Sequence, residues 1–331
     1  MIRYGAAFIF SFVFALYWTP VVRRAALQLG LVDRPDGLLK KDRDVVPYLG
    51  GLAVYMAFLL AVGVFTDFGQ EMLGLLLSGS IALMVGLLDD FGAMTPSQKL
   101  LGQTLAAVVL IKSGTYIKLE FLPIWLAIPL TVLWILAVTN ALNIIDILDG
   151  LASGVSVIAA LSIAIANFMA GRYAVALICI ILAGAILGFL KHNFHPAQIY
   201  LGDAGSLFIG FMLAALSMNA GYTRANLLAV ISPVLILGIP LFDLSLVMWI
   251  RWRNGIPMMK GSPDHFALRL RRLKLSVRET AVTTYIIAAL LSGIALLMSQ
   301  VTLMWATATI CGTLSAACLS AYLLIKVDMR S

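Results

Sequence analysis

The segment 140–151 reads NALNIIDILDGL and carries an amide or carboxylate side chain at every third position. These side chains belong to Asn140, Asn143, Asp146 and Asp149. A step of three residues advances a helix by about 300°, so neighbours in such a series stay near one side of it. Oxygen-bearing side chains grouped in this way suit a hard cation or a phosphate-bearing ligand. Asn and Asp also cap ordinary helices, but four at this spacing in an apolar chain favour a binding site.

Two further segments place carboxylates beside apolar runs. Asp89 and Asp90 are adjacent at the end of one run, and paired carboxylates need a cation or a shared proton between them. Asp203 lies in YLGDAGSL, residues 200–207, before another run, where a helix N-terminus would favour phosphate. A bridging Mg²⁺ would reconcile Asp203 with that phosphate, because Mg²⁺ usually takes one or two carboxylates plus substrate phosphates. Taken alone, either segment is also compatible with a solvated helix end or a cap.

A basic segment, residues 251–280, adds the pair Asp264-His265 and a predicted amphipathic helix over residues 265–275. Such a helix is typical of a surface that meets anionic lipid, and it is equally compatible with phosphate binding. The other two histidines, His192 and His195, are predicted to be ordinary residues of an inner loop.

The elements that must position these residues are predicted to be membrane helices. The chain has 331 residues, of which 62% are hydrophobic and 12% charged, whereas soluble proteins average about 45–50% apolar and about 25% charged. We therefore predict an all-α, polytopic integral membrane protein. About 20 apolar residues cross a bilayer core, which gives eleven spans, or ten if the weak fourth is omitted. They lie near residues 5–22, 49–66, 72–88, 98–113, 121–139, 150–170, 173–190, 205–221, 227–250, 281–298 and 301–325.

The basic residues predict the orientation, since Lys and Arg concentrate in cytoplasmic loops. All but five of the 23 basic residues fall on one predicted side, and the exceptions are Arg3, Lys112, Lys118, Arg172 and Arg224. The N-terminus is therefore predicted outside and the C-terminus in the cytoplasm, and the net charge of +7 does not indicate nucleic acid binding. All acidic residues except Asp67, Glu71 and Glu120 share the inner side. Because the topology rule barely sorts Asp and Glu, this asymmetry needs another cause, and a binding site open to the cytoplasm is one.

The chain resembles the polyprenyl-phosphate N-acetylhexosamine-1-phosphate transferases over roughly residues 20–280. Asp89-Asp90, followed by Lys99 and Gln103, is similar to the family's paired-aspartate segment. NALNIIDILDGL resembles NxxNxxDGxDGL, with Ile147 where the family usually has Gly. YLGDAGSLFIG is similar to FxGDxGSLxxG. Residues 47–51 resemble an early Pro-x-x-Gly-Gly stretch, and residues 240–243 a later Pro-x-Phe-Asp.

The resemblance implies a Mg²⁺-dependent enzyme, with Mn²⁺ as an alternative ion, that transfers N-acetylhexosamine 1-phosphate from a UDP-sugar to polyprenyl phosphate and releases UMP. It would be a multi-pass protein of the plasma membrane, in one transferase domain over residues 1–331. The inner loops would form its active-site face: 23–48, 89–99, 140–149, 191–204 and 251–280. Membrane lipid is an implied partner, and a homodimer is left open.

The resemblance also implies roles for individual residues. Asn143 and Asp203 would hold the metal, and Asp149 would contact the uridine. Asp89, Asp90 and Asp146 are the candidates for deprotonating or orienting the acceptor phosphate. The remaining substrate contacts would come from Lys99, Asn140, His265 and Arg269. The family's loop commonly ends in HxHH, of which only His265 remains here, so Arg269 is expected to contact phosphate instead.

Three alternatives remain at this stage. The muramoyl-pentapeptide branch of peptidoglycan synthesis shares the chemistry, although its APxHHH pattern is missing. A secondary transporter would also place polar residues in apolar helices, but near the bilayer midplane and often in two related halves. A membrane scaffold would not require four ordered polar segments. GlcNAc is the expected sugar.

Overall fold

The computed structural model describes residues 1–33, 46–218, 222, 226–257 and 263–329. These residues form thirteen α-helices. In chain order the helices are α1 (Ile2–Gln28), α2 (Gly50–Phe65), α3 (Gln70–Asp90), α4 (Pro96–Lys112), α5 (Ile124–Ile145), α6 (Leu151–Met169), α7 (Tyr173–Asn193), α8 (Gly202–Ser217), α9 (Ser232–Ile236), α10 (Gly238–Arg253), α11 (Phe266–Arg272), α12 (Val277–Met298) and α13 (Leu303–Ile325).

A short antiparallel pair of strands, β1 (Val32–Asp33) and β2 (Val46–Pro47), was not predicted by the all-α assignment. Val32 pairs with Pro47 and Asp33 with Val46. Two residues in each strand carry too little periodicity to be recognised from sequence. Two predicted segments are described only in part. Residues 34–45 of the inner segment 23–48 lie outside the described residues, and so do residues 258–262 of the basic segment.

Each of the eleven predicted apolar segments overlaps a helix or, for residues 227–250, a bent set of helices. Residues 219–221, at the end of the segment 205–221, lie outside the described residues. Among the described residues, seven helices are long and apolar enough to cross a membrane. An eighth span results if Leu227–Ile236 and Gly238–Arg253, bent by 78°, are counted together. Helices α2 and α8 have only 16 residues each, a length of about 24 Å against a bilayer core of about 30 Å. The protein is thus an all-helical, polytopic membrane protein.

Local sequence explains several helix boundaries. Thr95 accepts a hydrogen bond from the Gln98 amide and forms a capping box with it, and Pro96 follows in the first turn of α4. Ser276 and Glu279 form the same box at the start of α12. Because only residues 91–95 separate α3 from α4, the first turn of α4, which contains Lys99, lies at the same end of the bundle as the end of α3.

The centre of the bundle is formed by α6, α7 and α8. Every residue of α8 from Ala204 to Ser217 is buried, and α8 packs against α2, α3 and α5. At the opposite extreme, Ala306 is the single buried residue of α13, which matches an apolar helix surrounded by lipid. Because α8 is packed on all sides, the residues of its first turn are held in fixed positions. Asp203 is one of these residues.

Glycines allow the ends of three helices to meet there. Gly51 of α2 lies directly against Gly205 of α8, and Gly86 of α3 lies against the backbone of Asp203 and Ala204. Three main-chain hydrogen bonds fix the same junction: Tyr200 N–H donates to Pro47 (2.9 Å), Gly50 N–H to Tyr200 (3.0 Å) and Gly51 N–H to Leu201 (2.8 Å). The Pro-x-x-Gly-Gly stretch therefore holds the loop that leads into Asp203.

Candidate active site

A polar cavity of about 490 Å³ opens where α3 and α5 end and α8 begins. Its wall includes all the carboxylates singled out in the three acidic segments of the sequence. The lining residues are Tyr48, Asp89, Asp90, Asn143, Asp146, Ile147, Leu148, Asp149, Asn193, Tyr200, Gly202 and Asp203. The predicted inner loops 89–99 and 140–149 are therefore partly helical, because α3 continues to Asp90 and α5 continues to Ile145.

The Lys99 ammonium lies among oxygens from three other helices. Its Nζ is 2.6 Å from Asp89 Oδ2 and 3.1 Å from Asp203 Oδ2, and it donates to Asn143 Oδ1 at 3.0 Å. The Asn143 amide in turn donates to Asp203 Oδ1 and, at 2.9 Å, to Ser206 Oγ. Three oxygens of Asp89, Asn143 and Asp203 therefore face one cation.

The Asp90 carboxylate binds the N-terminus of α8 rather than Lys99. Its Oδ1 accepts the Asp203 N–H at 2.7 Å and its Oδ2 accepts the Ala204 N–H at 3.0 Å. The first amides of a helix have no partner within the helix, and a negative charge there is favourable. Gly202 has φ +75°, and a Cβ on it would lie 2.8 Å from Asp90 Oδ2. The adjacent aspartates thus have different partners, which the sequence did not indicate.

Asp146 follows the last residue of α5 and lies in the cavity wall between the other acids. Burial raises the pKa of Asp146 to about 8, with further contributions from the charges of Asp203, Asp90 and Asp149. A carboxyl group with this pKa exchanges its proton near neutral pH.

Asp149 is 5% exposed and contacts His195, which the sequence interpretation had treated as an ordinary loop residue. His195 Nδ1 lies 2.6 Å from Asp149 Oδ2, and the Ala197 N–H donates to the same oxygen at 3.2 Å. The Arg278 guanidinium donates to the main-chain carbonyl of His195 at 3.1 Å. His195 therefore orients a cavity carboxylate, a role that no local sequence signal indicates.

Asn193 was also missed, and it joins α6 to the loop after α7. Its Oδ1 accepts from Gly150 N–H (3.2 Å) and Ser153 Oγ (2.9 Å), while its amide donates to the Ile199 carbonyl at 3.0 Å. The sequence did not indicate this role, because Gly150 and Ser153 are about 40 positions away from Asn193 in the chain.

Asn140, the first residue of the three-step series, does not line the cavity. Its amide donates to Gln103 Oε1 at 2.6 Å and to the Leu136 carbonyl at 2.8 Å, and Gln103 donates back at 3.3 Å. The drift of the series around α5 explains this, because steps of 300° move the first residue towards α4. The predicted substrate contact of Asn140 thus has no support in the geometry.

His265 and Arg269 also lie outside the cavity lining. His265 Nδ1 is 2.8 Å from Asp243 Oδ2, and Asp243 is fully buried. The Arg269 guanidinium, 4% exposed, binds Asp264 Oδ1 at 2.8 Å and the carbonyls of Leu324 (2.9 Å) and Val327 (3.1 Å). These bonds connect α11 to the C-terminal end of α13, so the geometry gives Arg269 a structural role, and its expected phosphate contact stays a prediction.

Comparisons with known proteins agree with these motifs. The model of glycosyl transferase family 4 matches residues 72–221. A probable undecaprenyl-phosphate N-acetylglucosaminyl 1-phosphate transferase of Bacillus subtilis is 35% identical, over 92% of this chain and 87% of that protein. A decaprenyl-phosphate N-acetylglucosaminephosphotransferase of Mycobacterium tuberculosis is 31% identical, over 83% of this chain and 77% of its own length. The chain belongs to glycosyl transferase family 4.

A more distant relative covers a similar length. The undecaprenyl-phosphate alpha-N-acetylglucosaminyl 1-phosphate transferase of Yersinia pestis is 25% identical over 89% of this chain and 84% of that protein. The matched family segment contains all the acidic residues and amides of the cavity wall, from Asp89 to Asp203.

For Arg269 of this family 4 protein, the structure predicts a loss of stability on substitution. We expect Arg269→Met to lower the thermal midpoint of the detergent-solubilised protein by several degrees, because the buried carbonyls and Asp264 lose their partner at a cost of about 2–4 kcal/mol. The KM for the nucleotide-sugar should stay within about twofold, since Arg269 does not line the cavity. Arg271→Met, which removes an exposed charge from the same helix, should leave both quantities unchanged. A tenfold rise in KM at unchanged thermal midpoint would instead support a phosphate contact.

Proposed function

We propose that this protein transfers N-acetylglucosamine 1-phosphate from UDP-N-acetylglucosamine to polyprenyl phosphate, with undecaprenyl phosphate as the natural acceptor. The products are UMP and polyprenyl-diphospho-N-acetylglucosamine, the first lipid-linked intermediate of a cell-envelope glycan. The observation that carries the proposal is the cavity in which Lys99, Asn143 and Asp203 meet, in a chain similar over most of its length to proteins named for this reaction.

The reaction joins two anions. A phosphate oxygen of the lipid attacks the phosphorus that carries the sugar, the bridging P–O bond to the uridine phosphate breaks, and UMP leaves with that bond's electron pair. Phosphoryl transfer depends mainly on positioning and charge stabilisation. The cavity therefore has to offset negative charge on both substrates while keeping them in line.

The oxygens around Lys99 Nζ have the composition expected of a Mg²⁺ site. Asp203 and Asn143 would hold the ion, and Asp89 is near enough to contribute. Among the described residues, no group of three His, Cys, Asp or Glu side chains is placed to hold a metal ion. The proposed site therefore relies on the Asn143 amide oxygen and on substrate, since Mg²⁺ usually takes one or two carboxylates and completes its shell with waters and substrate phosphates. When bound, Mg²⁺ would neutralise charge on the donor pyrophosphate and leaving group.

Other residues of the cavity would bind the nucleoside, accept a proton and position Asp203. Asp149, fixed by His195, forms the wall suited to the hydrogen-bonding groups of the nucleoside. Asp146 is the candidate for taking a proton from the acceptor phosphate, and Asp89 is an alternative. Asp90 keeps the N-terminus of α8, and hence Asp203, in place.

The cavity lies at the ends of helices that meet the predicted cytoplasmic side. We propose that it faces the cytoplasm of a bacterial plasma membrane, where UDP-sugars are available, with the N-terminus outside and the C-terminus inside. With the eight candidate spans, the short helices α2 and α8 would give ten as buried or partial crossings, and α4 would be the eleventh. A homodimer remains compatible with the lipid-facing surface of α13.

A donor panel tests the proposal. Purified protein with Mg²⁺ and undecaprenyl phosphate should release UMP from UDP-N-acetylglucosamine, and chelation of the metal should stop the release. UDP-N-acetylgalactosamine and UDP-muramoyl-pentapeptide should give less than about one tenth of that rate, since a site built to hydrogen-bond one sugar rejects its analogues. Release from the pentapeptide donor alone would favour the peptidoglycan alternative, and release from none would contradict the transferase assignment.

A further inference from the structure

All three protons of the Lys99 ammonium have an acceptor within the proposed metal site. Lys99 lies in the first turn of α4 and its side chain is 14% exposed. The acceptors are Asp89 Oδ2 at 2.6 Å, Asn143 Oδ1 at 3.0 Å and Asp203 Oδ2 at 3.1 Å. An ammonium has three donors and no acceptor. These three oxygens therefore already hold one cation, and that cation is covalently part of the chain.

We propose that Lys99 is an exchangeable counter-ion: its ammonium holds this set of oxygens together without metal and leaves it when a divalent cation binds. The inference rests on the metal assignment of the proposed function and concerns what must happen to Lys99 at the same oxygens. Two cations within about 3–4 Å of each other repel strongly in a half-buried site. Asp203 and Asn143 therefore cannot keep their contacts with Nζ while they coordinate a metal.

The side chain of Lys99 can make this exchange without any helix moving. Its charge stands on a flexible four-carbon stem, and all three of its partners, Asp89, Asn143 and Asp203, line the open cavity. An ammonium displaced from the oxygens enters that cavity, where the anionic donor is expected. Metal binding therefore favours binding of the nucleotide-sugar, because it releases a positive charge that otherwise neutralises the protein's own carboxylates.

The charges of the cluster give the sign of the expected effect. Asp89 and Asp203 contribute two negative charges, which Lys99 reduces to a net charge of −1. If Lys99 competes for the oxygens, its removal leaves two carboxylates that need another cation. Affinity for a divalent ion rises with the number of uncompensated ligand charges. A Lys99 that merely supported the site would have the opposite effect, because its loss would disorder the ligands and weaken metal binding.

Mn²⁺ binding measured by electron paramagnetic resonance tests this inference without any turnover. Full-length protein in detergent, free of substrates, is titrated with Mn²⁺, and the specific site is defined as the binding that Asp203→Asn removes. We expect Lys99→Met and Lys99→Gln to bind Mn²⁺ about tenfold more tightly than the wild type. Lys99→Arg, which keeps the charge, should not bind more tightly. Lys112→Met is the matched control, because it removes an exposed lysine from the other end of the same helix.

A thermal melt adds a second readout for variants of low yield. Saturating Mn²⁺ should raise the thermal midpoint of Lys99→Met and Lys99→Gln by more than that of the wild type, since stabilisation by a ligand grows as its Kd falls. Unchanged or weaker Mn²⁺ binding in both variants, beside a specific site in the wild type, overturns the exchange and leaves the transferase assignment intact. If neither the wild type nor the variants show a specific site, the metal assignment fails and the exchange fails with it.

Discussion

Replacement of Asp203 by alanine is expected to lower the rate of UMP release by about 10³-fold or more. Asp203 contacts both Lys99 and Asn143, so its loss removes a carboxylate that both of them bind and that is proposed to hold the metal. The fold should survive, because the hydrogen bond that ties Asp203 to Asp90 uses the main-chain N–H. The measurement is UMP release at saturating donor and acceptor, compared with the wild type at equal amounts of monodisperse protein.

Asp67→Ala serves as the control for this loss. Asp67 is exposed on the opposite predicted side and makes one long ion pair, 3.9 Å, with Arg3. Exposed pairs of this kind contribute little, so the variant should keep wild-type activity. More than about one tenth of the wild-type rate in Asp203→Ala would show that Asp203 does not hold a group that the reaction needs.

The second large effect is expected at Gly51, in a residue without a functional side chain. A Cβ added at Gly51 would lie 2.2 Å from Gly205 Cα, a backbone atom that cannot rotate away. Gly51→Ala must therefore push α2 from the N-terminus of α8, and overpacking of this kind costs about 1–3 kcal/mol or more. We expect the thermal midpoint to fall by about 5 °C or more and UMP release to fall by about 10²-fold, because Asp203 shifts with α8.

Gly63→Ala is the matched control, since it makes the same change in the same helix. A Cβ at Gly63 meets no atom within 4 Å, so the variant should be as stable as the wild type or slightly more stable, because alanine favours the helix. If both variants behaved alike, the close approach of α2 and α8 would not be what positions the site.

Hydropathy predicted the helices well, because a bilayer imposes length and composition on every segment that crosses it. Burial among other helices allows a shorter apolar helix as well. Helix α8 reads as an apolar span, but it has only 16 residues and is surrounded by protein. Its neighbour α5 continues past the predicted end at residue 139 to Ile145, because Asn140 and Asn143 find partners on α4 and α8 and need not leave the helix.

The site was partly predictable for the same reason. Carboxylates are costly in an apolar chain unless they are paired or used, so Asp89, Asp146, Asp149 and Asp203 stood out and do meet in one cavity. Lys99 was identified through the resemblance, but its position among the oxygens was not. His265 and Arg269 were predicted from their place at the family's HxHH loop, and that resemblance did not show that Asp243 and the end of α13 engage them.

The sequence by itself determined the class of protein, the family and the oxygen-rich segments, since composition and spacing act along the chain. The tertiary structure decided which residues share a cation, which aspartate caps a helix and which basic residues are structural. These relations join residues about 40 to 110 positions apart, such as Asp90 with Ala204 and Lys99 with Asn143. They depend on how closely helices approach, and at Gly51 and Gly86 that approach is set by the absence of a side chain.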